Sequence, residues 1–156
     1  MKVFVGSCKK HSSISFLSLA YNSLYKKELR LSNIDRNKYG KPFLKNDETP
    51  SFNISHSGEY IACVFDKNEI GIDIQKIRQI PKNIVRKYLK ENDGDTIKLI
   101  EEWTKYESYG KKMGAGIPFD EDYTNGHFLT TFEIENYVIT VCTDNKNEKS
   151  LELIFL

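Results

Sequence analysis

The 156-residue sequence holds three cysteines, Cys8, Cys63 and Cys142, with no C-x-x-C pair among them. An odd count without metal-ligand spacing fits a reducing cytoplasm. Cys63 and Cys142 fall inside apolar, strand-like runs, where buried thiols are expected. The chain also lacks a charge surplus. Its 23 Lys and Arg against 22 Asp and Glu leave a formal net charge of +1, which gives no support to nucleic-acid binding. No run approaches the ~20 apolar residues of a membrane span. The apolar run in Met1–Gly6 is too short for a signal peptide, and no low-complexity tract or short-period repeat is present. These absences point to a soluble intracellular protein.

What the chain does have is material for a core: 39% hydrophobic residues, with nine Tyr and nine Phe. A length of 156 residues allows one compact unit or two small halves packed together. Taken in order, Lys2–Ser7 reads as a strand, and Ser12 or Ser13 caps a helix expected to reach about Leu29. Lys26, Lys27 and Arg30 would suit the negative end of its dipole. Leu31–Leu44 reads as a loop, and Lys45–Ser51 as a second, polar one. Lys82–Lys90 is expected to be a short basic helix with Ile84, Val85 and Leu89 inward. Glu91–Asp95 breaks it, and Asp95 or Thr96 caps a longer helix to about Met113. Gly114-Ala115-Gly116 reads as the cap that ends it, and Phe119–Asn125 as acidic and irregular. Strands are expected at His127–Ile134, Tyr137–Thr143 and Ser150–Phe155, with turns at Glu135-Asn136 and Asp144–Lys149.

The most informative stretch is Ser51–Gln75. Tyr60–Phe65 and Glu69–Gln75 flank the polar turn Asp66-Lys67-Asn68, which suits a hairpin. In Ile70–Gln75 the isoleucines alternate with Gly71, Asp73 and Gln75, so one face belongs to a core and the other is polar. Gly71 leaves room there for a ligand or another backbone to approach. Upstream, Phe52 and Ile54 alternate with Asn53 and Ser55, and Ser55-His56-Ser57-Gly58 supplies hydrogen-bond donors and an imidazole. Farther on, Trp103, Glu107 and Lys111 recur every four residues and share one stripe of the long helix. Each motif alone reads as ordinary scaffold: a strand, a loop, a surface ion pair. Their order and spacing carry the functional reading.

Together, Gly40–Leu44 (G-K-P-F-L), Phe52–Ser57 (F-N-I-S-H-S), Gly71–Ile74 (G-I-D-I) and Trp103–Lys111 (W-T-K-Y-E-S-Y-G-K) resemble the 4′-phosphopantetheinyl transferases of the large, Sfp-like kind. The resemblance covers some seventy residues. It implies an α+β fold of two similar halves about a pseudo-twofold axis, here residues 1–66 and 67–156, with the metal site in the second. It implies an enzyme that moves the phosphopantetheine arm of coenzyme A to a serine of an apo acyl or peptidyl carrier protein, as a holo-[acyl-carrier-protein] synthase does. Mg²⁺ would be held by Asp73 and Glu107, with the Gln75 carbonyl as a third ligand. Lys41, Ser55 and His56 would hold the nucleotide phosphates, and Lys111 the pyrophosphate. Glu107 or a metal-bound water would take the serine proton. The protein is expected to be a cytoplasmic monomer without nucleic-acid or membrane partners.

Two positions depart from the family pattern. Tyr106 stands where a lysine normally precedes the glutamate, and Gln75 stands where bacterial members often have Glu. The chain is also shorter than typical large members. Lys9, Lys10 and His11 lie near where basic residues usually meet the 3′-phosphate, but none matches a family position. The alternative these departures support is a member that binds coenzyme A or a carrier without transferring anything.

Overall fold

Lys2–Ser7 forms β1, and its alternation places Val3 and Val5 on one side and Phe4 on the other, all fully buried. The computed structural model describes residues 1–45, 50–89, 95–116, 125–144 and 151–156. β1 runs antiparallel to β5 (Tyr60–Asp66), which in turn pairs with β4 (Ser51–Ser57). β9 (Glu152–Phe155) adds to the other side of β1 in parallel, carrying the end of the chain into this first sheet. The second sheet has the order β6-β8-β7, from Gly71–Lys76, Tyr137–Thr143 and Phe128–Ile134.

The sheets face each other through Val3, Val5, Ala62, Val64, Ile72 and Ile139. The outer face of the first sheet is covered by α1 (Ser13–Tyr25), whose Phe16, Leu17 and Ala20 pack on Phe4, Phe52 and Cys63. α3 (Thr96–Met113) lies along β6 and β8 of the second sheet. α2 (Lys82–Tyr88) buries Val85 as expected, while Ile84 is half-buried and buried Leu89 is the extended cap beyond the helix; the expected end at Lys90 lies outside the described residues. Burial drives the thiol of Cys63 far up and that of Cys142 up to about 12, so both are inert apolar residues. Among the described residues no helix is long and apolar enough to cross a membrane.

Several local expectations are corrected. β5 and β6 do not form a hairpin, because they belong to different sheets. The hairpin is β4–β5, closing from Ser57 to Tyr60 through Gly58 and Glu59, with Gly58 at φ +55°. Two-residue hairpin loops need a positive φ, which Gly58 supplies and Asp66-Lys67-Asn68 does not. Ser55-His56-Ser57 is therefore strand, not loop.

α1 stops at Tyr25, where Lys26 turns left-handed and its N–H meets the Asn22 carbonyl. At 100° per residue a continued helix would carry Leu29 away from the face formed by Phe16, Leu17 and Ala20. Leaving the helix early lets Leu29 return to that core, and Lys26, Lys27 and Arg30 lie beyond the last turn. Leu31–Leu44 is a 3₁₀ turn, Leu31–Asn33, followed by a two-stranded ribbon of β2 (Ile34–Arg36) and β3 (Pro42–Leu44). The final strand begins at Glu152; the expected start at Ser150 lies outside the described residues. So do residues 46–49 of the polar loop, 91–94 of the break after α2, 119–124 of the acidic segment and 145–149 of the last turn.

Candidate functional site

The site is built where two edge strands lie side by side. β4 ends the first sheet and β6 ends the second, and the two have no backbone ladder between them. Polar side chains of β4 take the N–H groups along the unladdered edge of β6 instead. Asn53 Oδ1 accepts from Ile72 N at 3.0 Å, Ser55 Oγ from Ile74 N at 3.4 Å, and Ser57 Oγ from Lys76 N at 3.1 Å. The offset is 19 residues each time, as period-two alternation in both strands demands. Asn53 and Ser55 are buried, and these bonds satisfy edge groups that would otherwise be orphaned.

Asp73 is 1% exposed and faces α3, while its neighbours Ile72 and Ile74 face the first sheet. Its carboxylate is fully engaged. Oδ1 accepts from Ser55 Oγ at 2.7 Å and from Lys111 Nζ at 2.5 Å, and Oδ2 accepts from Gln75 Nε2 at 3.0 Å. Lys111 Nζ also donates to Ser55 Oγ at 2.7 Å. Glu107, one turn before Lys111 on α3, has its carboxyl raised above the usual glutamate range. Burial is the main cause, the charge of Asp73 adds to it, and Lys111 opposes both. The charge of Asp73 thus reaches Glu107, where Lys111, bonded to Asp73, offsets it.

Gly71 explains how α3 comes so close. A Cβ there would lie 1.9 Å from the Ser108 carbonyl oxygen and 2.6 Å from Lys112 N. The room on the polar face of β6 is taken by the helix backbone, the second of the two occupants the sequence allowed. Beside Asp73 in the ladder stands Thr140, which meets Thr104 of α3 at 2.8 Å and Thr131 at 2.9 Å. That buried hydroxyl chain seats α3 on the sheet, and nothing in the sequence signalled it.

The G-K-P segment serves the far end of α3. Asn37 Nδ2 donates to Gly114 O at 3.1 Å and Lys41 Nζ to Lys112 O at 2.8 Å, covering carbonyls that the helix end leaves free. Lys41 also pairs with Glu69 and is largely buried. A cleft of about 280 Å³ runs from this turn to Glu107 and Lys111, lined also by Tyr39, Gly40, Lys41 and Asn53.

Of the residues expected from the sequence, Asp73, Gln75, Ser55 and Lys111 form one hydrogen-bonded cluster, with Glu107 coupled to it by charge. Lys41 stands on the cleft wall. His56 is exposed and, by strand alternation, projects away from Ser55. Gln75 presents its amide N–H to Asp73, where the sequence reading had its oxygen facing a metal. Tyr106 is partly buried against Tyr109 and Cys142. Lys112, next to Lys111, is 4% exposed and pairs with Asp144 at 2.9 Å, so it is held elsewhere.

No family profile matches the chain. Individual proteins do. It is 33% identical over 157 residues to the 4′-phosphopantetheinyl transferase Sfp of Bacillus subtilis (strain 168), covering 82% of this chain and 68% of that protein. It is 36% identical over 92 residues to the 4′-phosphopantetheinyl transferase gsp of Aneurinibacillus migulanus, covering 53% of this chain and 38% of the relative. The 4′-phosphopantetheinyl transferase ffp of Bacillus subtilis is 28% identical over 148 residues, 76% of this chain and 65% of the relative. The chain belongs to the 4′-phosphopantetheinyl transferase superfamily, of the Sfp-like type, and its α+β architecture is the fold of that family. It spans about two thirds or less of the length of these relatives.

Among the described residues, no three His, Cys, Asp or Glu side chains gather as a ready-made cation cage. The donor set fits a different kind of site. Magnesium uses one or two carboxylates together with substrate phosphates and water. Buried Asp73 and Glu107, which lines the cleft, would provide the two carboxylates.

Proposed function

We propose that this chain transfers the 4′-phosphopantetheine arm of coenzyme A to a serine of an apo acyl or peptidyl carrier protein, releasing 3′,5′-ADP. The observation that carries the reading is the buried cluster of Asp73 and Ser55, tied by Lys111 to a cleft that Lys111 and Glu107 line, in a chain of this family. Mg²⁺ would be held by Asp73 and Glu107, with Gln75 as a third donor once its amide turns. When bound, it would neutralise the charge that builds on the pyrophosphate oxygens.

The chain's own residues divide the remaining work. Lys111, on a long flexible stem, binds the pyrophosphate and stabilises the leaving phosphate. Ser55 orients Asp73 and offers its hydroxyl to the nucleotide phosphates. Lys41 borders the nucleotide end of the cleft, and exposed His56 meets the 3′-phosphate outside it. The carrier serine must lose its proton as it attacks the β-phosphate. Glu107, on the cleft wall one turn before Lys111, is the candidate acceptor. The reaction type of a holo-[acyl-carrier-protein] synthase and action as a cytoplasmic monomer belong to the same proposal.

A second reading has its own observation. Tyr106, where the family places a lysine, sits in an apolar cluster and brings no charge to the phosphates. On that reading the chain holds coenzyme A or a carrier and transfers nothing. Release of 3′,5′-ADP from coenzyme A, Mg²⁺ and a panel of apo carrier proteins separates the two. Release that requires the carrier supports transfer, whereas binding of coenzyme A without release supports the second reading.

A further inference from the structure

Lys111 holds the position that a cation at Asp73 would take. Its ammonium is 2.5 Å from Asp73 Oδ1 and is braced by Ser55 Oγ at 2.7 Å, while Gln75 covers Oδ2. Asp73 is 1% exposed and depends on this pair for its charge balance, whereas the Lys111 side chain is 30% exposed. A buried carboxylate stripped of its cation is strongly unfavourable, so Lys111 cannot leave unless another positive charge replaces it. A divalent ion at Oδ1 would share that oxygen with Lys111, and Oδ2 opens to one only when the Gln75 amide turns away. The side chain with freedom to move is the lysine, and what would draw it out is an anion at the cleft mouth.

We infer that Lys111 is the resident counter-ion of the cation site, so that a divalent cation and the pyrophosphate of coenzyme A bind cooperatively, each making room for the other. This rests on the reading that coenzyme A binds in this cleft. The pyrophosphate gives Lys111 a new partner as the metal takes over Asp73. By linkage, whatever factor the coenzyme adds to metal affinity the metal must add to coenzyme affinity. A metal-first route would leave Lys111 facing a dication. The site therefore discriminates against filling by metal alone.

The test measures Mn²⁺ binding to the full chain by loss of the free-ion EPR signal, with and without coenzyme A. Asp73→Asn serves as the control for Mn²⁺ held by the coenzyme alone. Wild type is expected to bind Mn²⁺ weakly by itself and about tenfold or more tightly with coenzyme A, within the usual range of coupling between sites. Lys111→Met and Lys111→Gln should each bind Mn²⁺ alone about tenfold more tightly than wild type, with less further gain from the coenzyme. Circular dichroism checks folding, and the Gln variant, whose amide can still donate to Asp73, is decisive if Met proves unfolded. Equal Mn²⁺ affinity of wild type with and without coenzyme A overturns the inference. So do variants that bind Mn²⁺ alone no better than wild type while the coenzyme still tightens wild type; that outcome leaves the transferase reading standing. Failure of coenzyme A itself to bind in calorimetry removes the reading and the inference together.

Discussion

Ser55 Oγ and Asp73 Oδ1 lie 2.7 Å apart at a junction where two sheets meet without sharing a ladder. The bond joins the best-defined part of the site to the seam that holds the sheets together. The S-H-S segment is thus both scaffold and site, and damage to the seam should reach the chemistry.

Asn53 tests the seam apart from the carboxylates. Its Oδ1 accepts the hydrogen bond of the buried Ile72 N–H. Asn53→Ala should lower stability by about 1–3 kcal/mol, the cost of leaving such a donor unpaired. Urea unfolding at constant m-value measures it. A loss within a few tenths of a kcal/mol would mean that the β6 edge is satisfied some other way.

Gly71→Ala should be worse than its size suggests. The new methyl would meet the backbone of Ser108 and Lys112, which cannot rotate away as a side chain can. Destabilisation of about 1–3 kcal/mol or more is expected, with α3 displaced from β6 and Glu107 from Asp73. A lowered melting temperature together with lost transfer fits this; an unchanged melting temperature contradicts the packing described.

The sequence disclosed the alternation in β6, the stripe on α3 and the caps of that helix, because these depend on local periodicity and local cap chemistry. It did not disclose which strands pair. The choice of β4 over β6 as the partner of β5 depends on Gly58 at a positive φ and on β6 finding its hydrogen-bond partners in Asn53, Ser55 and Ser57, groups nearly twenty residues away. The same long-range bonding changes the reading of the motifs. Asn53 and Ser57 offer acceptors to a backbone, where the sequence alone had S-H-S as ligand donors. Lys41 covers the end of a helix 71 residues later in the chain. The pairing of Thr104 with Thr140 left no local trace.

Gln75 donates to Asp73 Oδ2, an arrangement a glutamate could not reproduce. Gln75→Glu would add a negative charge beside Asp73, which favours a cation. The Mg²⁺ concentration for half-maximal transfer should fall by an amount worth on the order of 1 kcal/mol, with the maximal rate little changed. A Mg²⁺ titration at saturating coenzyme A checks this. Coincident curves would remove Gln75 from the cation's surroundings.

Asp144 gives a pH test away from the carboxylate pair. Burial alone would raise its carboxyl, but Lys112 and His127, at 2.9 and 2.8 Å, hold it below the ordinary aspartate value. The folded protein therefore binds this proton less readily than the unfolded chain. The resulting stability is present above the ordinary aspartate value and is lost as pH falls through the lower folded one. Asp144→Asn should lower stability at neutral pH and flatten its decline below about pH 4. Asp144 is half exposed, so the pH-dependent part should be small, whereas the loss at neutral pH should exceed that of a surface pair because its partner Lys112 is buried. Parallel acid limbs in wild type and variant would contradict the assignment.

We propose that Asp73 and Glu107 direct transfer of the phosphopantetheine arm. The most direct test is the intact mass of apo carrier proteins after incubation with coenzyme A, Mg²⁺ and the chain. Wild type should add about 340 Da to a serine of at least one carrier, the mass of the arm. Asp73→Ala and Glu107→Ala should fold yet slow the addition by roughly a hundredfold or more, each having removed a donor for the charge-neutralising cation. Folded alanine variants that modify the carrier at the wild-type rate, or a carrier panel left unmodified by wild type while coenzyme A binds, would contradict the account.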